Sequence, residues 1–388
     1  MKRYDIIISG GGMIGSITAV AASKAGFSVL LIEANQFKPI HEGATRDLRV
    51  SAISWSNIRY LKSMNIFSNL LESRIQAYSK MQVWDNRSTG EINFEADYSQ
   101  QKCLGYLMEN NNLIQASWKT LEGSGNCDVL EQSQIKYIEN TGSQIRIELK
   151  NGIQYKSKLL IGAEGRNSFV RQYANIKTTE YNYNQRGVVA YITLENAPSE
   201  TALQAFNNGG PIGILPIDNK LFSIVWSVPE DKCDQILECS EDKFEQSLKS
   251  EIGKDFGPIK LISPRAAFPL TQLYAEKYFD KRIVLCGDSA HGVHPLAGQG
   301  VNLGIGDIQL LMKVLNKDTL KDDDLLNNAL RKYQRRRVSK VKETSEMMSL
   351  LHHLFKNDNH IKKPLRNLAL NFIDNIPLKK WFINQAGS

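Results

Sequence analysis

The sequence predicts an α/β fold in which an antiparallel sheet is inserted into a parallel α/β domain, with further helices at the C-terminus. Three observations support this prediction. A short β-branched apolar run at the N-terminus leads through a glycine turn into a helical pattern. The middle of the chain has short alternating segments between Asn-, Gly- and Pro-rich turns. A buried-strand pattern returns near residue 283, and helical periodicity dominates from residue 303 onward, with breaks at two prolines.

The first element is a βαβ unit. Residues 4–9 are predicted to form a buried parallel strand, because parallel strands are covered on both faces and are therefore almost continuously apolar. Residues 13–24 are predicted to form a helix that Gly26 stops, and residues 27–32 the next strand. This unit ends on Glu33.

The turn of this unit carries the spacing Gly10-x-Gly12-x-x-Gly15. Gly10 permits the tight turn, Gly12 lets the backbone approach a pyrophosphate, and Gly15 permits close packing of helix and strand. Backbone N–H groups at the helix start, including those of Met13 and Ile14, then face the phosphates. Glu33, 23 residues after Gly10, is placed to accept hydrogen bonds from a ribose, and its charge repels a 2′-phosphate. The fingerprint therefore predicts FAD or NAD without choosing between them.

The middle segments include residues 187–192 and 221–226, which are predicted to be strands of an antiparallel sheet. We expect a discontinuous cofactor domain and an inserted substrate domain. The predicted cofactor domain comprises residues 1–73, 100–177 and 277–345, the substrate domain residues 74–99 and 178–276, and a C-terminal helical segment residues 346–388.

A second motif favours FAD over NAD. The strand at residues 283–286 delivers Asp288 at its carboxyl end, where ligands bind in α/β sheets and where a carboxylate can bond a ribityl hydroxyl. The following glycines let backbone amides approach the flavin ring, and a helix N-terminus stabilises the negative charge of reduced flavin. The predicted contacts in this stretch are Gly298, Gly300, Val301 and Asn302, the last able to bond a flavin carbonyl.

The stretch from Ala290 to Asp307 has the pattern Ala-His-x-x-His-Pro-x-Ala-Gly-Gln-Gly-x-Asn-Leu-Gly-x-x-Asp without a gap. It resembles the ubiquinone-biosynthesis hydroxylases, a branch of the para-hydroxybenzoate-hydroxylase-like FAD monooxygenases. Residues 47–52, 106–113, 209–216, 223–226 and 354–387 are similar to further family segments in the same order. The resemblance implies a Rossmann-type FAD-binding domain, with Arg49 near the FAD phosphates and Asn110 beside the flavin.

The resemblance also implies an activity. FAD, reduced by transiently bound NAD(P)H, would use O2 to hydroxylate the ring of a lipophilic polyprenyl phenol in ubiquinone biosynthesis. Pro295 and Gln299 are the residues that we expect to face the flavin ring during this reaction. Two alternatives stay open, a non-catalytic FAD-bearing subunit of a quinone-synthesis complex and an FAD monooxygenase for another aromatic substrate.

The sequence departs from the family pattern at two places. Glu164 stands where the family has aspartate, and we expect the extra methylene to displace that loop. Leu203 and Ala205 stand where the family often has an aromatic residue and an arginine, which we expect to change the substrate pocket.

Composition and charge narrow the location and the partners. Five cysteines without metal-ligand spacing indicate reduced thiols in a cytoplasmic protein, and we expect His291 and His294 to pack in the flavin loop rather than bind a metal. The chain carries +7 overall, and residues 331–388 alone have thirteen Lys or Arg against four Asp or Glu. The sequence has no nucleic-acid-binding module. This basic end therefore indicates one of two roles: docking, on the inner membrane or on a quinone-synthesis complex, or a helix that covers the FAD domain. The oligomeric state, a homo-oligomer included, stays open.

Overall fold

The computed structural model describes residues 1–86, 90–99, 102–207, 209–293 and 299–356, with backbone alone at residues 98, 99, 299 and 347–356. In chain order the strands are β1 (Lys2–Ser9), β2 (Val29–Ile32), β3 (Val50–Ser54), β4 (Ile75–Tyr78), β5 (Lys80–Asp85), β6 (Glu91–Glu95), β7 (Gly105–Glu109), β8 (Cys127–Leu130), β9 (Ile135–Asn140), β10 (Ile145–Leu149), β11 (Gln154–Gly162), β12 (Thr178–Leu194), β13 (Thr201–Phe206), β14 (Ile212–Asp218), β15 (Leu221–Pro229), β16 (Ile259–Leu261), β17 (Ala266–Ala275), β18 (Phe279–Asp280), β19 (Ile283–Leu285) and β20 (His291–Gly292). The helices are α1 (Met13–Lys24), α2 (Trp55–Ser63), α3 (Asn110–Leu121), α4 (Phe169–Tyr173), α5 (Glu230–Glu238), α6 (Glu241–Ile252), α7 (Gln299–Val314) and α8 (Asp323–Lys356).

The first sheet has β1 at its centre. Its order is β18-β19-β11-β1-β2-β8, and β1 pairs in parallel with β2 and β11, which in turn pair in parallel with β8 and β19. The antiparallel strands β9 and β10 extend it from β11. Ile6, Ile7 and Ile8 are fully buried, as expected for a strand covered on both faces. The predicted βαβ unit is confirmed, because β1, α1 and β2 occupy the expected positions.

The second sheet is larger and mostly antiparallel, with the order β20-β17-β12-β15-β14-β13-β5-β6 and β16 on β12. Its outer face packs on α5 and α6 around a core that includes Ile192, Ile224, Phe244 and Leu248. We call the opposite side the inner face. Because successive strand residues point to opposite sides, the residues between these core positions lie on the inner face.

The orientation of β13 overturns one expectation from the sequence. Leu203 and Ala205 are 1% and 0% exposed and belong to the core between the sheet and its two helices. Their side chains therefore fill the outer face, and the departure from the family at these positions changes that core rather than the inner face.

A third sheet, ordered β3-β7-β4, connects the other two. Ala52 and Leu107 of this small sheet form one buried cluster with Tyr191 of β12 and Ile217 of β14. The inner face of the large sheet is therefore packed on β3 and β7. Strand β4 falls in the predicted substrate domain but belongs to this small sheet, whereas β5 belongs to the large one. The domain boundaries given above stay a prediction.

The helical C-terminal part is confirmed as far as Lys356, where α8 ends. The remaining part of the predicted C-terminal segment, residues 357–388, lies outside the described residues. Within the described part of the chain, no helix has both the length and the apolar character needed to cross a bilayer.

Candidate cofactor site

The glycine fingerprint has the geometry of a phosphate-binding turn. Gly10 has φ +101°, a conformation that side chains disfavour, and a Cβ on Gly15 would lie 1.7 Å from the Gly10 carbonyl oxygen. Gly12 differs, because a Cβ there would meet no heavy atom within 4 Å. The helix α1 starts after Gly12 without a side-chain cap, so its first N–H groups face open space. An anionic phosphate fits this space.

Glu33 closes the turn from the end of β2. Its carboxylate accepts hydrogen bonds from the backbone N–H of Gly11 at 2.7 Å and of Asn35 at 2.9 Å. The Trp118 indole N–H donates to the Gly11 carbonyl at 2.9 Å, and the indole ring stacks on Phe37. Glu33 therefore lies beside the fingerprint, where a ribose would follow the phosphates, although its bond to a ribose stays a prediction.

Ile14 brings the two distant motifs together. Cβ atoms built on Gly287 and Gly304 would lie 3.0 Å and 2.5 Å from the Ile14 side chain. The turn at Gly287 and the helix α7 therefore pack directly on the start of α1. This contact joins the two motifs into one site. It cannot be read from their spacing in the sequence.

Asp288 lies at this junction. Its side chain keeps accessible surface, but the dense protein around it displaces water that would solvate the charge. This desolvation raises the pKa of the carboxyl, although the charges of His291 and Arg166 act in the opposite direction. A carboxylate that is accessible but poorly solvated lies in a cleft, and such a group gains by hydrogen bonding to a ligand hydroxyl. This environment suits the predicted ribityl contact.

A buried ionic network holds the Gly287 turn. Asp307 of α7 accepts hydrogen bonds from the Gly287 N–H at 2.8 Å and from His291 Nε2 at 2.6 Å. Its other oxygen accepts from Arg337 Nε of α8 at 2.6 Å, and Arg337 also donates to the Leu303 carbonyl at 2.8 Å. Burial by itself would raise the pKa of Asp307, but these opposite charges and hydrogen bonds outweigh it and lower the pKa.

The start of α7 faces open space at Gly300, where an added Cβ would meet nothing within 4 Å. Val301 is half-buried beside it. The Asn302 side chain has another role, because its oxygen accepts from the Ser54 N–H at 2.9 Å and its nitrogen donates to the Ala52 carbonyl at 2.8 Å. Residue 302 would therefore bond a cofactor through its backbone rather than through its side chain.

Three predicted residues fall in the neighbouring stretch. Pro295 and Gly298 lie outside the described residues, and Gln299 is described only by its backbone, as the first residue of α7. Their roles stay predictions. His294 also lies outside the described residues, whereas His291 is buried against Asp307.

Arg49 and Asn110 are neighbours, since the Asn110 N–H donates to the Arg49 carbonyl at 2.9 Å. The Arg49 side chain is 66% exposed and can reach an anion, while the Asn110 side chain accepts from Ser51 at 2.7 Å. Buried Glu109 anchors the preceding loop through Arg46 at 3.0 Å and Arg74 at 2.8 Å. The predicted positions of Arg49 near the FAD phosphates and of Asn110 beside the flavin stay predictions.

Glu164 is integrated into its loop. One carboxylate oxygen accepts from Ser9 Oγ at 2.5 Å, and the other accepts from Ser168 Oγ at 2.7 Å and from the Val170 N–H at 2.9 Å. It therefore joins β1 to the start of α4. The longer side chain spans this distance.

These residues fit FAD. The open N-terminus of α1 suits the pyrophosphate, the cleft carboxylate of Asp288 suits a polyhydroxyl chain, and the N-terminus of α7 faces the same junction. Several residues that support this arrangement were not predicted from the sequence. Only Asp307 had a visible signal, as the last residue of the long motif. The missed residues are Trp118, Glu109, Arg74, Asp307 and Arg337.

Comparison with known proteins agrees with this assignment. Residues 3–345 match the family described as FAD binding domain. The 3-demethoxyubiquinol 3-hydroxylase of Escherichia coli K12 is 33% identical over 371 residues, which cover 94% of this chain and 93% of that protein. The human mitochondrial ubiquinone biosynthesis monooxygenase is 33% identical over 373 residues, 83% of this chain and 79% of that protein.

Two solved structures share the fold. A probable FAD-dependent monooxygenase of Pseudomonas aeruginosa has a TM-score of 0.77 at 20% identity, covering 96% of this chain and all of that one. The p-nitrophenol 4-monooxygenase of Pseudomonas putida has a TM-score of 0.80 at 14% identity, covering 100% of this chain and 99% of that one. Together, the matching family, the relatives and the site geometry show that the chain belongs to the FAD-dependent monooxygenases of the ubiquinone-biosynthesis hydroxylase family.

Proposed function

We propose that this chain hydroxylates the aromatic ring of a polyprenyl phenol intermediate of ubiquinone biosynthesis. The observation that carries the proposal is the near full-length similarity to the Escherichia coli 3-demethoxyubiquinol 3-hydroxylase, at 33% identity. The convergence of the fingerprint and the Asp288 turn around Ile14 supports it, because a flavin enzyme needs both halves of that site.

The residues of the chain bind and orient, while FAD, with NAD(P)H as reductant and O2 as co-substrate, supplies the redox chemistry when bound. The N-terminus of α1 would hold the pyrophosphate, and Glu33 and Asp288 would bind hydroxyl groups at the two ends of the cofactor. Asp307 keeps the Gly287 turn fixed for this purpose. The substrate ring would be placed by the inner face of the large sheet.

Analysis of quinone lipids tests the reaction. We expect a strain that lacks this gene to accumulate a prenylated ring short of one oxygen, identified by mass spectrometry, and the substitution pattern would give the ring position. A normal quinone profile in a strain without a redundant hydroxylase would contradict the proposal.

The Gly12→Ala variant separates catalysis from a role as a mere subunit. An enzyme that needs FAD should fail to restore the quinone profile when its pyrophosphate space is filled, even though the protein accumulates normally. Restoration by this variant, with FAD absent from the purified protein, would favour the non-catalytic alternative.

We further propose that the protein docks on the anionic inner membrane, where a prenylated substrate lies. The exposed side of α8 carries Arg331, Lys332, Arg335 and Arg336, spaced so that they form one basic face. Among the residues that the structure describes, none of the four has an acidic partner within ion-pair distance. Anionic headgroups are attracted to such a surface. The basic residues predicted for the same role at 362–380 lie outside the described residues.

Vesicle binding tests this docking. Changing the four residues to Gln should weaken binding to phosphatidylglycerol vesicles by about fivefold per residue, since each contributes about 1 kcal/mol. The matched control changes four exposed lysines elsewhere, Lys136, Lys150, Lys232 and Lys243, to Gln. Equal losses in both variants, or no loss in either, would contradict docking through α8.

A further inference from the structure

Over the described residues of strands β12 to β15, the inner face of the large sheet carries no charged side chain, whereas the neighbouring strand β5 adds Asp85 beside Phe206. Between Gly187 and Ser227 on β12 to β15, the described residues on this face include no Asp, Glu, Lys, Arg or His. The face consists of Gly187, Val189, Tyr191, Thr193, Ala202, Gln204, Phe206, Gly213, Leu215, Ile217, Leu221, Ser223, Val225 and Ser227. Recognition on this surface must therefore use shape and neutral hydrogen bonds.

A hollow interrupts this face at Gly213. A Cβ added there would meet one heavy atom within 4 Å, the Val225 carbonyl oxygen at 3.9 Å, so the space above the glycine is open. In the sheet, Gly213 lies between Gln204 on β13 and Val225 on β15, and Val189 on β12 follows. A planar group can therefore lie flat on the backbone at this position, between an amide and two valines.

The hollow is near the segment of Arg49, which is predicted to lie by the FAD phosphates and whose carbonyl accepts a hydrogen bond from Asn110, predicted to lie beside the flavin. Leu215, two residues along β14, packs with Tyr191 beside Leu48 and Val50, which flank Arg49. Two residues along a strand correspond to about 7 Å. The Tyr191 hydroxyl also donates to the Asp47 carbonyl at 2.6 Å, which fixes the sheet against this loop.

Gln204 supplies the polar group at the edge of the hollow. Its side chain is 8% exposed, and its carboxamide has no hydrogen-bond partner among the described residues. The amide is not fully enclosed by protein, so it borders space that a ligand can enter. A ligand hydroxyl that enters this space can form a hydrogen bond with the amide, worth about 0.5–1.5 kcal/mol for a neutral pair.

We propose that the hollow over Gly213 receives the aromatic ring of the substrate and that Gln204 hydrogen-bonds a ring oxygen. The assignment rests on the proposed function. Because a carboxamide both donates and accepts but does not titrate, the chain recognises the neutral phenol and takes no proton from it at this residue. The phenol keeps its proton on binding, and its hydroxyl donates that proton in a hydrogen bond to Gln204 Oε1.

Ligand binding to the oxidised FAD-loaded enzyme tests this assignment. The probes are 2-geranylphenol and its O-methyl ether, which lacks the hydroxyl donor, titrated against the flavin absorbance spectrum. We expect wild type to bind the phenol more tightly than the ether by about two- to tenfold, the range for one neutral hydrogen bond. The Gln204→Leu variant should bind both equally, and Gly213→Val should weaken both because its side chain fills the hollow.

Gln185→Leu is the matched control. Gln185 is on the same face and is also 8% exposed, but its amide nitrogen donates to the Gly209 carbonyl at 3.0 Å. This variant should keep the wild-type preference for the phenol. Retention of FAD and of the circular dichroism spectrum shows that each variant is folded, and Gln204→Met replaces Gln204→Leu if the latter is not.

An unchanged phenol preference in the folded Gln204 variant, or unchanged affinities in Gly213→Val, would overturn the inference. These outcomes are independent of the lipid analysis. Loss of the preference in Gln204→Leu with a normal quinone profile would leave the phenol site standing and contradict only the proposed pathway.

Discussion

Replacing Arg337 by Met tests whether the buried network around Asp307 stabilises the cofactor domain. The guanidinium is 7% exposed and the Asp307 carboxylate is fully buried, with 2.6 Å between Arg337 Nε and Asp307 Oδ1. Methionine fills much of the same volume but offers no donor. The substitution therefore leaves a buried carboxylate with one partner fewer, and it also removes the bond to the Leu303 carbonyl.

The expected loss follows from the cost of an uncompensated buried charge. Breaking a buried ion pair by removing one partner costs about 3–5 kcal/mol, because the remaining charge stays poorly solvated. Arg336, one residue earlier on α8, is exposed, and replacing an exposed residue of this kind changes stability by less than about 0.5 kcal/mol. Arg336→Met is thus a matched control with the same change in net charge.

The assay is equilibrium unfolding in urea at one fixed FAD concentration, followed by tryptophan fluorescence and by release of the flavin. We expect Arg337→Met to lower the free energy of unfolding by about 3–5 kcal/mol. A value within about 0.5 kcal/mol of Arg336→Met would refute the reasoning. It would mean that the Gly287 N–H and His291 satisfy Asp307 without the arginine.

The pH dependence of the stability lost in Arg337→Met is a second test of the same network. Wild-type Asp307 has a lowered pKa, so its contribution is present above the pKa of the unfolded chain and is lost as the pH falls through the folded pKa. Removing Arg337 raises the folded pKa, and the carboxylate is then harder to ionise. The loss of stability should therefore be larger at neutral pH than near pH 4, close to the unfolded pKa of about 3.9. An equal loss at both would contradict the assigned charge state.

The remaining predictions concern the turn, the loop and the sheet contact. Gly15→Ala should prevent stable folding of the FAD domain, because its Cβ would lie 1.7 Å from the Gly10 carbonyl oxygen, whereas Gly12→Ala should fold and lose FAD affinity in a fluorescence titration. Equal behaviour of the two would contradict the assigned roles. Glu164→Asp should lower stability by about 1.5–3 kcal/mol in urea unfolding, since a shorter carboxylate cannot keep all three bonds. Tyr191→Phe should cost about 0.5–1.5 kcal/mol by the same measurement, and no change would show that its bond to the Asp47 carbonyl contributes nothing.

The sequence by itself determined the local elements and the cofactor. The first βαβ unit was predictable because glycines at fixed spacing constrain the turn and because a strand buried on both faces must be apolar. The motif ending at Asp307 was long enough to identify the family, which the comparisons confirmed. Such features depend on neighbours in the chain, so one sequence contains them.

The tertiary structure alone decided which distant residues meet. Ile14 lies against Gly287, and Arg337 is paired with Asp307, although no spacing in the chain links either pair. The interior role of Leu203 likewise depends on which face of β13 the helices cover. A one-residue change of register would reverse that orientation, so it is set by strand pairing and packing across the sheet rather than by the local pattern.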